Sequence, residues 1–101
     1  MSDSNDAEKK KVNIQIQLDD DIAQGAYSNL VLVNHTETEF ILDFIYVQPQ
    51  QPKAKVRARL ITSPRHTKRL LEALRENLAR YEERFGSIDV SGPVSQAEFL
   101  H

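Results

Sequence analysis

The sequence predicts an α+β fold, a four-stranded antiparallel β-meander with one long C-terminal α-helix packed on one face. Three observations lead there. Strand-like apolar patterning occurs in four runs, at residues 12–18, 27–35, 40–47 and 55–62. The connections between them are short and rich in turn-forming residues, which suits antiparallel neighbours. From residue 64 the apolar spacing changes to three and four and holds to residue 85.

Each element has a local reason. Residues 1–10 are polar, charged and aperiodic, and are expected to form a disordered tail. In the first run Val12, Ile14, Ile16 and Leu18 alternate with Asn13, Gln15 and Gln17, the clearest period of two in the chain. Three adjacent carboxylates, Asp19, Asp20 and Asp21, end it, and residues 21–25 can close one helical turn with Asp21 as cap and Gly25 as stop. The second run centres on Leu30, Val31, Leu32 and Val33, which implies burial on both faces. A polar turn at 35–38 leads into the third run, with Phe40, Leu42, Phe44 and Tyr46 on one face and Ile41, Asp43, Ile45 and Val47 on the other. Pro49 and Pro52 break the ladder after it, since neither nitrogen can donate. The fourth run turns Val56, Ala58 and Leu60 inward and Lys55, Arg57 and Arg59 outward.

Ser63-Pro64 is a strong helix start, because the serine hydroxyl caps orphan amides and proline at the first position loses no hydrogen bond. Leu70, Leu71, Leu74, Leu78, Tyr81 and Phe85 then mark one face of a helix over residues 64–85, and Gly86 stands at its stop. Such a helix is roughly 33 Å long and outreaches an eight-residue strand of about 26 Å. One domain over residues 11–88 is expected, with residues 89–101 as a flexible tail whose Val94, Phe99 and Leu100 can dock on a partner.

One helix covers one face of a sheet. The other face is expected to present Asn13, Gln15 and Gln17, then Val31 and Val33, then Ile41, Asp43, Ile45 and Val47, then Lys55, Arg57 and Arg59, with the parity of the second strand open to reversal by a bulge at 27–29. Branched apolar side chains left there predict a homo-oligomer, most simply a dimer. The chain has 101 residues and no cysteine, so disulfide staples, thiolate nucleophiles and Cys-ligated zinc are excluded. No apolar run reaches the roughly 18–20 residues of a membrane span, and residues 1–11 lack the apolar core of a signal peptide, so no membrane partner and a cytoplasmic location are expected.

Charge is unevenly placed. Lys and Arg total 13 against 15 Asp and Glu, for a net charge of −2. Yet residues 53–69 hold Lys53, Lys55, Arg57, Arg59, Arg65, Lys68 and Arg69 with no acid between them, while Asp19 to Asp43 and the first ten residues are acidic. That polarity bears on partners more than on fold.

No nucleophile elbow, phosphate loop, dinucleotide fingerprint or metalloprotease motif occurs, and there are three glycines in all. A non-enzymatic protein without cofactor or metal is expected. His35, His66 and His101 are far apart in sequence, and the Asp19–Asp21 run lacks the later oxygen ligands of a calcium loop. Asp43, amid apolar neighbours, can pair across strands with Arg57 or Arg59 and fix register, or serve a binding role. Tyr27 and Asn29, after Gly25, form either a recognition corner with Asp43 or local backbone partners. Lys55, Arg57, Arg59, Arg65, Lys68 and Arg69 suit the acidic half of a second subunit, solvent, or the phosphates of a nucleic acid; with the other aromatics assigned to the helix side, Tyr27 is the stacking residue on offer.

Several motifs in fixed order carry a resemblance: Gly25-Ala-Tyr-Ser-Asn29, Glu39-Phe-Ile-Leu-Asp-Phe44, Pro52-Lys-Ala-Lys-Val-Arg57, Thr62-Ser-Pro-Arg-His-Thr-Lys-Arg-Leu70 and Tyr81-Glu-Glu-Arg-Phe-Gly86. Residues 11–88 resemble a bacterial and archaeal family catalogued as a domain of unknown function, number three-four-six-seven. The resemblance implies a domain without implying an activity. The four-strand, one-helix order is also similar to that of SecB-type export chaperones and Pur-type nucleic-acid-binding domains. The function expected is a non-enzymatic homo-oligomeric interaction domain that binds itself and, at the sheet face or edge left free, a partner of unknown identity, either a nucleic acid or another protein. A nucleic-acid-binding module using the basic segment and a SecB-like holdase are the alternatives.

Overall fold

The computed structural model describes residues 13–92. In chain order the elements are α1 (Asp20–Ala23), β1 (Leu30–His35), β2 (Phe40–Val47), β3 (Ala54–Thr62) and α2 (Pro64–Phe85). The fold is α+β, with one three-stranded antiparallel sheet in the order β1-β2-β3.

Among the described residues the fourth strand is absent. Residues 13–19 have no ladder partner, and Ile14, Ile16 and Leu18 are exposed. Alternation tells which side chains share a face; a strand also needs a neighbour for its amides, and the aspartate-rich turn that follows does not return the chain beside β1. The helical turn at α1 does form, with its cap moved from Asp21 to Asp19, whose side chain makes no capping bond. Gly25 follows at φ +77°, a left-handed conformation that favours glycine. The predicted tails over residues 1–10 and 93–101 lie outside the described residues, and residues 89–92 contain no helix or strand.

Register sorts the faces. Leu30, Leu32 and Asn34 of β1 stand opposite Ile45, Asp43 and Ile41, while Val31, Val33 and His35 stand opposite Phe44, Leu42 and Phe40. The parity of β1 is therefore the reverse of the expected one: Val31 and Val33 share the Phe40 face, and Leu30 and Leu32 share the Asp43 face. On the other side of β2 the pairing runs from Phe40↔Thr62 to Phe44↔Ala58, then steps to Ile45↔Val56. Arg57 is the extra residue of this β-bulge, and the bulge swaps the faces of everything before it. Val56 joins Ile45 and Asp43, whereas Ala58 and Leu60 stay with Phe44 and Leu42. The three residues expected to point inward together thus divide between both faces.

The core is small. Leu30, Leu42 and Ile45 are the buried apolar side chains among the described residues, and Asp43 is buried with them. Val33, Val56, Leu60 and Ile61 stay about half exposed, so each face is covered only in part and the two-sided burial expected for β1 is incomplete.

Helix α2 packs on neither face. None of its residues is buried, and the element pairs in extensive contact are β1 with β2 and β2 with β3. The cause lies in the junction. A single residue, Ser63, separates β3 from α2, and Pro64 fixes its own φ, so the chain has too few torsions to fold back across the sheet it has just left. The helix itself starts as its sequence dictates: Ser63 Oγ accepts from the His66 amide at 3.2 Å, and Thr67 donates to the Ser63 carbonyl through both its amide and its hydroxyl. Ser63→Ala is expected to lower stability by about 1 kcal/mol and to fray the first turn, read by urea unfolding and amide exchange at residues 65–68. At the other end Gly86, at φ +101°, donates to the Glu82 carbonyl.

Candidate functional site

Two surfaces concentrate what the chain offers a partner. The first is the exposed apolar stripe of α2. Leu71, Leu74, Leu78, Tyr81 and Phe85 follow steps of three, four, three and four, the a and d positions of a heptad repeat. Each is between 49% and 65% exposed, so the protomer itself does not use the stripe. Leu70 widens it, and the Tyr81 and Phe85 rings lie 4.9 Å apart with the Arg84 guanidinium over Phe85. Beyond Gly86 the Glu82 carboxylate accepts from the Ile88 amide at 2.9 Å, which returns Ile88 to the shallow groove lined by Leu74, Leu78, Tyr81 and Phe85. Asn77, Lys68, Arg75, Glu82 and Arg84 occupy the flanking e and g positions, a mixed rim around an apolar centre.

The second surface is the far end of the β2–β3 hairpin. Tyr46 and Lys55 are cross-strand partners, and together with Gln48, Lys53, Ala54 and Arg57 they line a recess of about 520 Å³. The bulge makes this possible, because it puts Lys55 on the face of Phe44 and Tyr46 and leaves the unpaired Arg57 beside them. Tyr27 meets Tyr46 edge-on, with centroids 6.0 Å apart and planes at 71°.

The six cations singled out in the sequence are thus not one patch. Lys55 and Arg57 stand at the recess. Arg59 is on the opposite face, where its Nε and Nη2 donate to the two carboxylate oxygens of Asp43 at 2.7 and 2.9 Å. Arg65, Lys68 and Arg69 lie on the first turns of α2 with Glu72, at the other end of the sheet.

Asp43 accordingly belongs to the sheet's own structure. Its carboxyl is held below the usual carboxylate range, first by the hydrogen bonds from Arg59 and further by the charge of the guanidinium, against the opposing pull of burial. Asn29 is likewise engaged: its side chain donates to the Val47 carbonyl at 3.0 Å and accepts from the Val47 amide at 2.8 Å, while its own amide donates to the Ile45 carbonyl. It extends the β1–β2 ladder by a side chain acting as backbone. Ser28 adds bonds from Oγ to the Leu30 and Ile45 carbonyls. Asn29→Ala removes two of these bonds and is expected to cost about 2 kcal/mol, with faster amide exchange at Val47 as the local readout. Of the expected recognition corner, Tyr27 and Asn29 are both exposed, Tyr27 to 71%, but the Asn29 side-chain amide is already taken up by Val47.

Among the described residues no three His, Asp or Glu side chains converge to hold a metal, and no helix is long and apolar enough to cross a membrane. A family model described as a protein of unknown function, DUF3467, matches residues 1–90. The chain belongs to the DUF3467 family. Membership spans both surfaces of this DUF3467 chain, the bulged hairpin and α2, and assigns neither a role. No curated protein and no solved structure matches it.

Proposed function

We propose that the protein is a homo-oligomeric interaction domain whose protomers join through the apolar stripe of α2. The observation that supports this reading is a 22-residue amphipathic helix with a heptad-spaced stripe and no buried residue of its own. An isolated helix of this kind is marginal in water, since most helical stability in proteins comes from packing an apolar face. A second copy brings an identical stripe, and in a two-fold arrangement each stripe is the other's cover. The mixed charges beside the seam set no single-sign barrier to that approach. Once α2 is paired, the two sheets project from the ends of the helices and stay available for a further partner.

The absence of native cysteine makes a clean test. Leu78→Cys is expected to link copies through a short bis-maleimide, because residue 78 lies in the seam for parallel and antiparallel helices alike. Glu76→Cys, on the face opposite the stripe, is expected not to link. Equal linking of both, or of neither, overturns the reading.

A further inference from the structure

We infer that the recess formed by Tyr46, Lys53, Lys55 and Arg57, with Tyr27 at its edge, binds single-stranded nucleic acid, phosphates on the cations and a base on the exposed tyrosine. The inference is independent of α2 pairing: the recess sits where Val47 meets Ala54, while α2 leaves the sheet where Phe40 meets Thr62.

Four observations converge. The recess has three cations and no acid in its wall, and none of the three enters an ion pair among the described residues, whose ion pairs are Arg59 with Asp43 and Arg75 with Glu72. Their charge therefore faces outward, uncompensated, in a concave place that suits an anion. Two aromatic rings stand within the same small area, and in an edge-to-face pair one ring offers its edge and keeps both its faces clear of the other. The bulge at Arg57 is the device that assembles the set. With regular pairing, Lys55, Arg57 and Arg59 share the face of Asp43, away from Tyr46; the bulge moves Lys55 to the tyrosine side and leaves Arg59 neutralised by Asp43 on the other. Finally, α2 does not cover this face, so the sheet aromatics are not consumed by an internal core.

Cations beside rings on an open antiparallel sheet bind a polyanion with planar bases better than an anion without them. Base stacking adds to the phosphate contacts and tolerates any sequence. An acidic peptide has the charge without the rings. Duplex nucleic acid keeps its bases stacked on each other, out of reach of Tyr27. In the dimer two such recesses are present, and one strand that reaches both binds more tightly than either recess alone.

The test is fluorescence anisotropy of a labelled mixed-sequence single-stranded oligonucleotide with the full chain, alongside inorganic polyphosphate and poly-glutamate of equal charge. Three phosphate contacts predict a log-log salt slope of about −2, so that a fourfold rise in salt weakens binding about twentyfold. Lys55→Glu with Arg57→Glu is expected to weaken binding by more than tenfold, and both side chains are exposed, so the fold is kept. Tyr27→Ala is expected to weaken oligonucleotide binding on the order of tenfold while leaving polyphosphate binding unchanged, and Tyr27→Phe to restore it. Three results overturn the inference: no oligonucleotide binding at low salt, binding indifferent to Lys55→Glu with Arg57→Glu, or equal capture of oligonucleotide, polyphosphate and poly-glutamate with no effect of Tyr27→Ala. The sedimenting mass of each variant, read in parallel, separates loss of this site from loss of the dimer.

Discussion

Leu74→Asp combined with Leu78→Asp is expected to convert the proposed dimer to a monomer across the micromolar range. Each copy then brings two carboxylates to the middle of the seam, where a buried unpaired charge is strongly unfavourable, and the dissociation constant is expected to rise on the order of a thousandfold or more. Both side chains are about half exposed in the protomer, so the sheet keeps its core of Leu30, Leu42 and Ile45. Far-UV circular dichroism is expected to show some loss of helix with retention of strand, because under the proposed pairing α2 draws much of its stability from its partner. Glu76→Ala, on the face opposite the stripe, is the control and is expected to leave the mass unchanged. A dimer that survives the two aspartates places the seam elsewhere.

The second large effect concerns Arg59. Removing its side chain in Arg59→Ala leaves the Asp43 carboxylate, 7% exposed, without the two hydrogen bonds that hold it. The urea midpoint at neutral pH is expected to fall further than for Lys55→Ala or Arg57→Ala, neither of which enters an ion pair among the described residues. The pH dependence gives the signature. In the native pair the Asp43 carboxyl is lowered from its unfolded-state value of about 3.9, so its contribution is fully present above that value and is lost as pH falls through the lower folded-state value. In Arg59→Ala burial acts alone and raises the carboxyl, so acid relieves the variant while it weakens the wild type. The difference between their midpoints is expected to be wide at about pH 7 and to narrow by about pH 3. Asp43→Leu with Arg59→Leu is expected to recover much of the loss, since it leaves no unpaired charge. A difference that stays constant with pH contradicts this account of the pair.

What the sequence made legible is what local chemistry decides. The limits of β2 and α2 match the predicted ones, residues 40–47 and 64–85, because Pro49 and the polar turn bound one, and Ser63-Pro64 and Gly86 bound the other. β3 differs by one residue. The pairing of Asp43 with a cation of the fourth run followed from parity alone, and the structure chooses Arg59 over Arg57. Non-local features were hidden. Nothing in residues 12–18 says whether a ladder partner exists for them. The bulge at Arg57 carries no glycine or proline to announce it, yet it redistributes Lys55, Val56 and Arg59 between faces. The three- and four-residue spacing of Leu70 to Phe85 was plain, but it reads the same for a helix on its own sheet and a helix on a second copy. The single-residue junction at Ser63 is the signal that separates these, and it was already implied by the predicted limits of residues 55–62 and 64–85. With three strands in place of four, the likeness in element order to SecB-type chaperones and Pur-type domains no longer holds.

Under the proposed pairing one copy is structurally incomplete and its α2 is completed by another. Sedimentation equilibrium of the wild-type chain at tens of micromolar tests it most directly. A mass of twice 11.6 kDa, falling toward 11.6 kDa on dilution, is the expected result. A mass of 11.6 kDa at every concentration, with α2 fully helical, contradicts it.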